Sequence, residues 1–279
     1  MSVLDRSIRR FAHPLPLRTR WVRSLVRQLN IGSFATRLRL GAMRRPHYGL
    51  CLYYAALQAK RLGCSAMTAV ELGVAGGRGL LCMVDHAAAI RKELGIEILI
   101  AGFDGGSGLP ASSDPRDLPY FWHPGAFPMD DDALRKRLAG RAELIVGDVA
   151  ETCPRWSPRA DAPLGMIAFD LDLYSSTRSA LCLLEKENLL PRVWCYFDDI
   201  IDVPESCLTD FIGEAAAIRD FNRSPARERL HDNVSPARVF AGWPPEPWHN
   251  QIYLYHRLTH PQYTASVYER GSAAQLTLT

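Results

Sequence analysis

Five strand-length apolar runs in this chain end in or beside a carboxylate: "MTAVELGVAGG", "IEILIAGFDGG", "AELIVGDVAE", "GMIAFDLDLY" and "RVWCYFDDI". Helical patterns separate most of them: "LLCMVDHAAAIRKEL" after the first, "DDDALRKRLAG" before the third and "SSTRSALCLLEKE" after the fourth, with a further helix near 46–63 before the first and a long one around 204–222 after the last. Strands that alternate with helices predict a doubly wound, mainly parallel sheet. The tail segments "ARVFAGW" and "QIYLYHRL" alternate apolar and polar residues with no helical pattern between, which predicts an antiparallel pair at one edge. In a doubly wound sheet, ligands sit outside the carboxyl ends of the strands. One acid at a strand end is ordinary turn chemistry. Five on one rim point to a site.

The chain's 279 residues, 47% of them hydrophobic, are ample for a real core. Its seven cysteines are scattered, with no CxxC pair, a usage that suits reduced thiols in a cytoplasmic protein. No run approaches the roughly 20 apolar residues of a membrane span, and the start lacks the apolar segment of a signal peptide. Charge is uneven: residues 1–50 hold eleven arginines, no lysine and one acid, a net +10 against −7 for the remainder. Trp21, Val22, Leu25, Val26 and Leu29 share one helical face there, with Arg20, Arg23 and Arg27 off it. Residues 1–66 therefore read as a basic helical extension and 67–279 as the sheet domain. Three roles stand open for the extension: docking on the acidic body or on a second copy as a homo-oligomer contact, attachment to an anionic membrane surface, and an Arg-rich transit peptide. Nucleic acid is disfavoured as a partner, because no arginine-aromatic base-reading motif accompanies the charge.

After the first strand, Glu71, Gly73, Gly76, Gly77 and Gly79 spell E-x-G-x-x-G-G-x-G. Glycines let a backbone approach a ligand closely, and the following helix offers free N–H groups. A dinucleotide fingerprint counted from Gly73 would need glycine at Ala75 and Arg78, and a phosphate-binding Gly-Lys-Ser/Thr is absent. The remaining class is S-adenosylmethionine, with its amino-acid part over the glycines, its ribose hydroxyls on Asp104 and its adenine amine near Asp148. A tight turn with no ligand is the plain alternative.

The strings "VELGVAGGRG", "GFDGGSGLP", "VGDVAET", "FDLDLYSSTRSAL" and "FDDI", spanning about 68 to 200, resemble the successive motifs of class I S-adenosylmethionine-dependent methyltransferases. Within that class they are similar to the macrocin O-methyltransferase group, which methylates sugar hydroxyls with magnesium. The resemblance implies a Rossmann-like domain, Glu71, Gly73, Gly76, Gly77 and Asp104 around the cofactor, and Asp170, Asp198 and Asp199 around the metal. The chain departs from the group where "NLLPRVWCYFDD" lacks a glycine pair and where Ile200 stands in place of an aromatic residue.

Charge chemistry supports a metal separately. Asp170 and Asp198 stand 28 residues apart, enough for a crossover to an adjacent parallel strand. Clustered carboxylates repel one another, and an all-oxygen donor set without His or Cys suits Mg²⁺. Such an ion would grip neighbouring oxygens of a small-molecule acceptor, as in a vicinal diol, sugar or phenolic. Asp172 is divided between general base and cap of the helix near Ser175. His123 and His249 stand behind it as bases, each also readable as a packing or loop residue. The aromatic-rich segments 112–130 and 241–261 form either an acceptor pocket or a packed cluster. The sequence thus predicts a Mg²⁺-assisted O-methyltransferase, with a nucleotide-dependent oxidoreductase and a non-catalytic binding protein as alternatives.

Overall fold

The structure, a computed structural model, describes residues 17–201, 209–225, 232–237 and 246–265. Seven strands form one sheet: β1 (Ala66–Leu72), β2 (Glu97–Asp104), β3 (Glu143–Val146), β4 (Leu164–Phe169), β5 (Leu189–Phe197), β6 (Asn233–Pro236) and β7 (Ile252–His256), in the order β3-β2-β1-β4-β5-β7-β6. The first five are parallel, and β7 runs antiparallel to both β5 and β6. The helices are α1 (Leu17–Leu29), α2 (Phe34–Arg39), α3 (Pro46–Arg61), α4 (Arg78–Leu94), α5 (Asp131–Leu138), α6 (Val149–Arg155), α7 (Tyr174–Ala180) and α8 (Gly213–Asn222). The predicted α/β, Rossmann-like doubly wound sheet is present.

The central strands read as continuous apolar runs because helices cover both faces. Met67 and Ala69 of β1, Met166 and Ala168 of β4, and Trp194 and Tyr196 of β5 face a core shared with α3, α4 and α5. Val70 and Leu72, Ile167 and Phe169, and Val193, Cys195 and Phe197 face the opposite core, shared with α6, α7 and α8. Helix α3 lies before residue 67 yet is part of the first core: Leu50, Cys51, Leu52, Ala55 and Ala59 are wholly buried.

Four local expectations need correction. The strand that pairs with β7 is Asn233–Pro236, upstream of "ARVFAGW", most of which lies outside the described residues. Of the helix expected around 204–222, the described part begins only at Gly213, after a turn at 210–211. The "SSTRSALCLLEKE" helix stops as an α-helix at Ala180 and tightens into a 3₁₀ turn over Leu181–Glu185. Strand β5 starts earlier than its charged end suggests and contains Pro191. A bulge accommodates the proline: the β4 partner of Leu189 is Leu164, whereas Met166 already faces Trp194.

Helix α1 does not dock by its apolar side. Trp21 is 76% exposed, and Val22, Leu25 and Leu29 are exposed with it. Arg23 instead holds the helix down through Glu246 at 2.7 Å and the carbonyl of Gly41 at 3.1 Å. No described helix is long and apolar enough to cross a membrane.

Candidate active site

The strand order reverses direction between β1 and β4, so the turns after these two strands lead away from each other and open a crevice. A cleft of about 810 Å³ lies there, lined by Glu71, Gly73, Gly76, Asp104, Asp148, Asp170, Asp172, Asp198 and Asp199 among others. Gly77 sits beside them as the N-cap of α4, and His123 and His249 do not line the cleft.

The glycines after β1 have separate reasons. Gly73 has φ 83°, and a Cβ there would stand 1.8 Å from the carbonyl oxygen of Asp170, so the two strand-end turns touch backbone to backbone. Gly77 has φ 74° and lies against Leu134. Gly79 leaves the space that the Glu71 carboxylate fills, since a Cβ would come within 1.7 Å of Glu71 Oε1. Only at Gly76 would a Cβ on this turn meet nothing within 4 Å. Packing accounts for the other three; Gly76 is the one that keeps a cleft wall bare.

Asp104 ties this turn to β2. Its Oδ2 accepts the N–H groups of Val74 at 2.9 Å and Ala75 at 2.7 Å, and its Oδ1 accepts that of Gly106 at 2.6 Å. These bonds hold Ala75 at φ 43°, a conformation unusual for a residue with a Cβ. A carboxylate has about four acceptor sites, so roughly one is left for a ligand hydroxyl. Asp148 caps α6 through the N–H of Ala150 at 2.8 Å and is exposed. Glu71 is buried, accepts the Tyr48 hydroxyl at 2.7 Å, and is pushed up to about 7 chiefly by burial.

At the other end of the cleft the carboxylates crowd. Asp170 ends β4 and Asp198 and Asp199 follow β5, the adjacent parallel strand. Burial first, then the charges of Asp198 and Asp199, raise the Asp170 carboxyl well above the usual range. Asp172 is raised to about 7 by burial and by Asp170 and Asp198. Asp199 accepts the N–H of Asp172 at 3.0 Å, and its own N–H donates to Glu214 at 3.1 Å. Glu214, wholly buried on α8, is an eighth acid in or behind the cleft that the sequence reading passed over. Its signal was a lone acid in "GEAAAI", on a helix otherwise apolar along that side. Asp198 accepts the Tyr196 hydroxyl, and its carbonyl takes Gln251 Nε2 at 2.6 Å.

The structure separates the two readings of Asp172. Helix α7 begins at Tyr174 with no side-chain cap from the preceding residue, and Asp172 sits at φ 62°. The capping carboxylate is Asp117 from the long loop, which accepts Ser175 N–H at 2.8 Å and its hydroxyl at 2.7 Å. Asp172 is free of that duty and lines the cleft. Over the cleft lies the loop between β2 and α5, contributing Leu109, Pro110, Trp122 and Phe127.

Among the described residues, no three His, Cys, Asp or Glu side chains stand together as a metal-ligand group. The reason is visible in the bonds just given. Asp198 is drawn to Tyr196 and Asp199 to the N–H of Asp172, so the carboxylates share a wall without converging.

No family model matches this chain, and no characterised protein sequence does either. Solved structures are similar in fold. The O-methyltransferase NovP superposes with a TM-score of 0.50 at 15% identity, covering 75% of this chain and 79% of its own. The calicheamicin methyltransferase CalS11 superposes with a TM-score of 0.49 at 21% identity, covering 90% and 89%.

Proposed function

We propose that the protein transfers a methyl group from S-adenosylmethionine to a hydroxyl of a small molecule, a vicinal diol, sugar or phenolic, with the help of Mg²⁺. One observation carries this reading: a glycine turn with an open wall at Gly76, pinned by the strand-end Asp104, shares a single cleft with a group of half-buried and buried carboxylates. NovP, a protein of this fold, is an O-methyltransferase, which agrees with it.

In this reading Gly76 gives the cofactor its approach, the remaining acceptor site of Asp104 takes a ribose hydroxyl, and Asp148 at the cleft edge meets the adenine. Gly73 and Gly77 shape the turn, and Glu71 closes its inner end. The donor chemistry of Asp170, Asp198 and Asp199 fits a hard divalent cation, because only oxygen ligands are on offer and no ion pair among the described residues neutralises them. Such an ion supplies Lewis-acid polarisation of the acceptor oxygen when bound. Asp172, which lines the cleft and does not cap α7, is the base in this reading and receives the proton that the hydroxyl loses as its oxygen takes the methyl group. The loop carrying Leu109, Trp122 and Phe127 shelters the acceptor side from water.

Titrating the protein with S-adenosylhomocysteine, in Mg²⁺ and again in chelator, tests the reading. Saturable binding in both conditions supports it; absence of binding in both removes it. The exposed apolar face of α1 is proposed as the surface through which copies associate. Replacing the exposed Trp21 and Leu25 by Ser should then convert a dimer to a monomer in sedimentation, and an unchanged sedimentation coefficient would refute that role.

A further inference from the structure

The acids proposed to serve one ion come from two strands, and a buried carboxylate stands behind the turns of both. Glu214 opens α8 directly after Gly213, which has φ 56°, and its side chain is wholly buried. Unlike Asp170, Asp172, Asp198 and Asp199, it does not line the cleft. Its Oε2 accepts the N–H of Asp199 at 3.1 Å. Its Oε1 accepts, at a longer 3.5 Å, the N–H of Leu171, the residue between Asp170 and Asp172.

The turn after β4 needs such a hold. The N–H of Leu173 returns to the carbonyl of Leu171 at 2.6 Å, so Asp172 is the centre of a three-residue turn at φ 62°, a rare and strained form for a residue with a Cβ. Strain of this kind persists only where the surroundings fix it. Here the fixing bonds form a chain: Glu214 accepts from Asp199, and Asp199 Oδ2 accepts the N–H of Asp172 at 3.0 Å. The chain joins the end of β5 to the end of β4 and leaves Asp199 Oδ1 outside it. Its far end is rigid, because Ala215, Ala216, Ala217 and Ile218 bury α8 and Asp220 accepts the hydroxyl of Tyr174, the first residue of α7, at 3.0 Å. A wholly buried carboxylate is costly, and what this one offers in return is acceptors for two backbone N–H groups.

We infer that Glu214 is a positioning residue: from α8 it fixes the Asp199 backbone and, through Asp199, the turn bearing Asp172, so that acids from β4 and β5 hold one geometry toward the ion. This rests on the Mg²⁺ reading above and adds to it a residue from outside the strand-end motifs. Mg²⁺ demands near-regular octahedral geometry, whereas Ca²⁺ accepts irregular oxygen cages, so a loosened site should lose Mg²⁺ first.

Calorimetric titrations of Mg²⁺ and of Ca²⁺ into the full chain, with S-adenosylhomocysteine already bound, test it in wild type, Glu214→Asp and Glu214→Gln. Asp keeps the charge but draws the acceptors back by one methylene; Gln keeps an oxygen at the Asp199 N–H but removes the charge. Glu214→Asp should bind Mg²⁺ about ten- to a hundredfold more weakly than wild type, the scale of losing a group that orients a metal ligand. Its Ca²⁺ affinity should fall by only about threefold. Glu214→Gln should stay within about threefold of wild type for both ions. Unchanged S-adenosylhomocysteine affinity shows that each variant is folded. The reverse order, with Glu214→Gln losing both ions and Glu214→Asp neither, would make Glu214 a charge rather than a positioning residue and overturn the inference. Wild-type Mg²⁺ affinity in both variants would overturn it as well. If the wild type takes up neither ion, the Mg²⁺ reading falls and this inference with it, while bound S-adenosylhomocysteine leaves the cofactor reading standing.

Discussion

Asp104 and Asp170 end the two strands that flank β1, one on each side, and their surroundings are opposite. Asp104 is answered by three backbone N–H groups from the turns beside it. The Asp170 carboxylate has no hydrogen bond among the described residues, and its nearest charges include Asp198, Asp199 and Glu71. The first end of the cleft is therefore preformed: its acid is consumed in holding the glycine turn in shape. The second end stores repulsion that a cation would relieve. Two similar-looking strand ends thus do different work, and the difference lies in which neighbours supply donors.

Substituting Asp170 by Asn separates the two ends most sharply. Methyl transfer should fall roughly 10³-fold, the scale of losing a group that stabilises developing charge, while cofactor affinity stays within about twofold in titration. Equal loss of both would erase the distinction. Asp104→Ala should do the reverse. With the N–H groups of Val74, Ala75 and Gly106 unpaired, at about 1–3 kcal/mol for each that stays dry, stability should drop by about 4 kcal/mol in urea unfolding, and cofactor binding should go with it.

The pH dependence of Glu71 is the next test. Its folded carboxyl is raised from 4.5 to about 7 by burial, so the native state keeps a proton that the unfolded chain releases. The resulting stability is full below about pH 4.5 and is lost as pH rises through 7, about 3 kcal/mol in all. Glu71→Gln should remove this loss, so its urea midpoint should climb above that of the wild type between pH 5 and pH 8. Parallel curves would show that Glu71 is ionised in the folded protein. A smaller effect distinguishes the glycines. Gly73→Ala drives a methyl into the Asp170 carbonyl at positive φ and should cost about 3 kcal/mol. Gly76→Ala meets no atom within 4 Å and should change stability by under about 0.5 kcal/mol while weakening the cofactor.

Much of this layout was legible in the chain. The acid-terminated apolar runs place β1 to β5 and their rim, because a strand buried on both faces leaves a run of apolar residues that stops where the chain meets the cleft. The glycine turn was equally visible, although its spelling could not tell Gly76, which faces open space, from Gly73 and Gly79, which relieve contacts with Asp170 and Glu71. What escaped the reading depends on partners distant in sequence. Asp117 caps α7 across 58 residues, a duty the sequence offered to Asp172 next door. Glu214 is drawn in by the N–H of Asp199, and Arg23, off the apolar face of α1, ties that helix to Glu246.

The division of the cleft into a preformed cofactor end and a charge-strained metal end can be measured directly. Mg²⁺ is titrated into wild type and Asp170→Asn, each with S-adenosylhomocysteine already bound, and ion binding is followed by calorimetry. The account predicts one Mg²⁺ per wild-type chain and none in the variant, with the same amount of S-adenosylhomocysteine retained by both. Mg²⁺ binding that is equal in the two proteins, or absent from both, would contradict it.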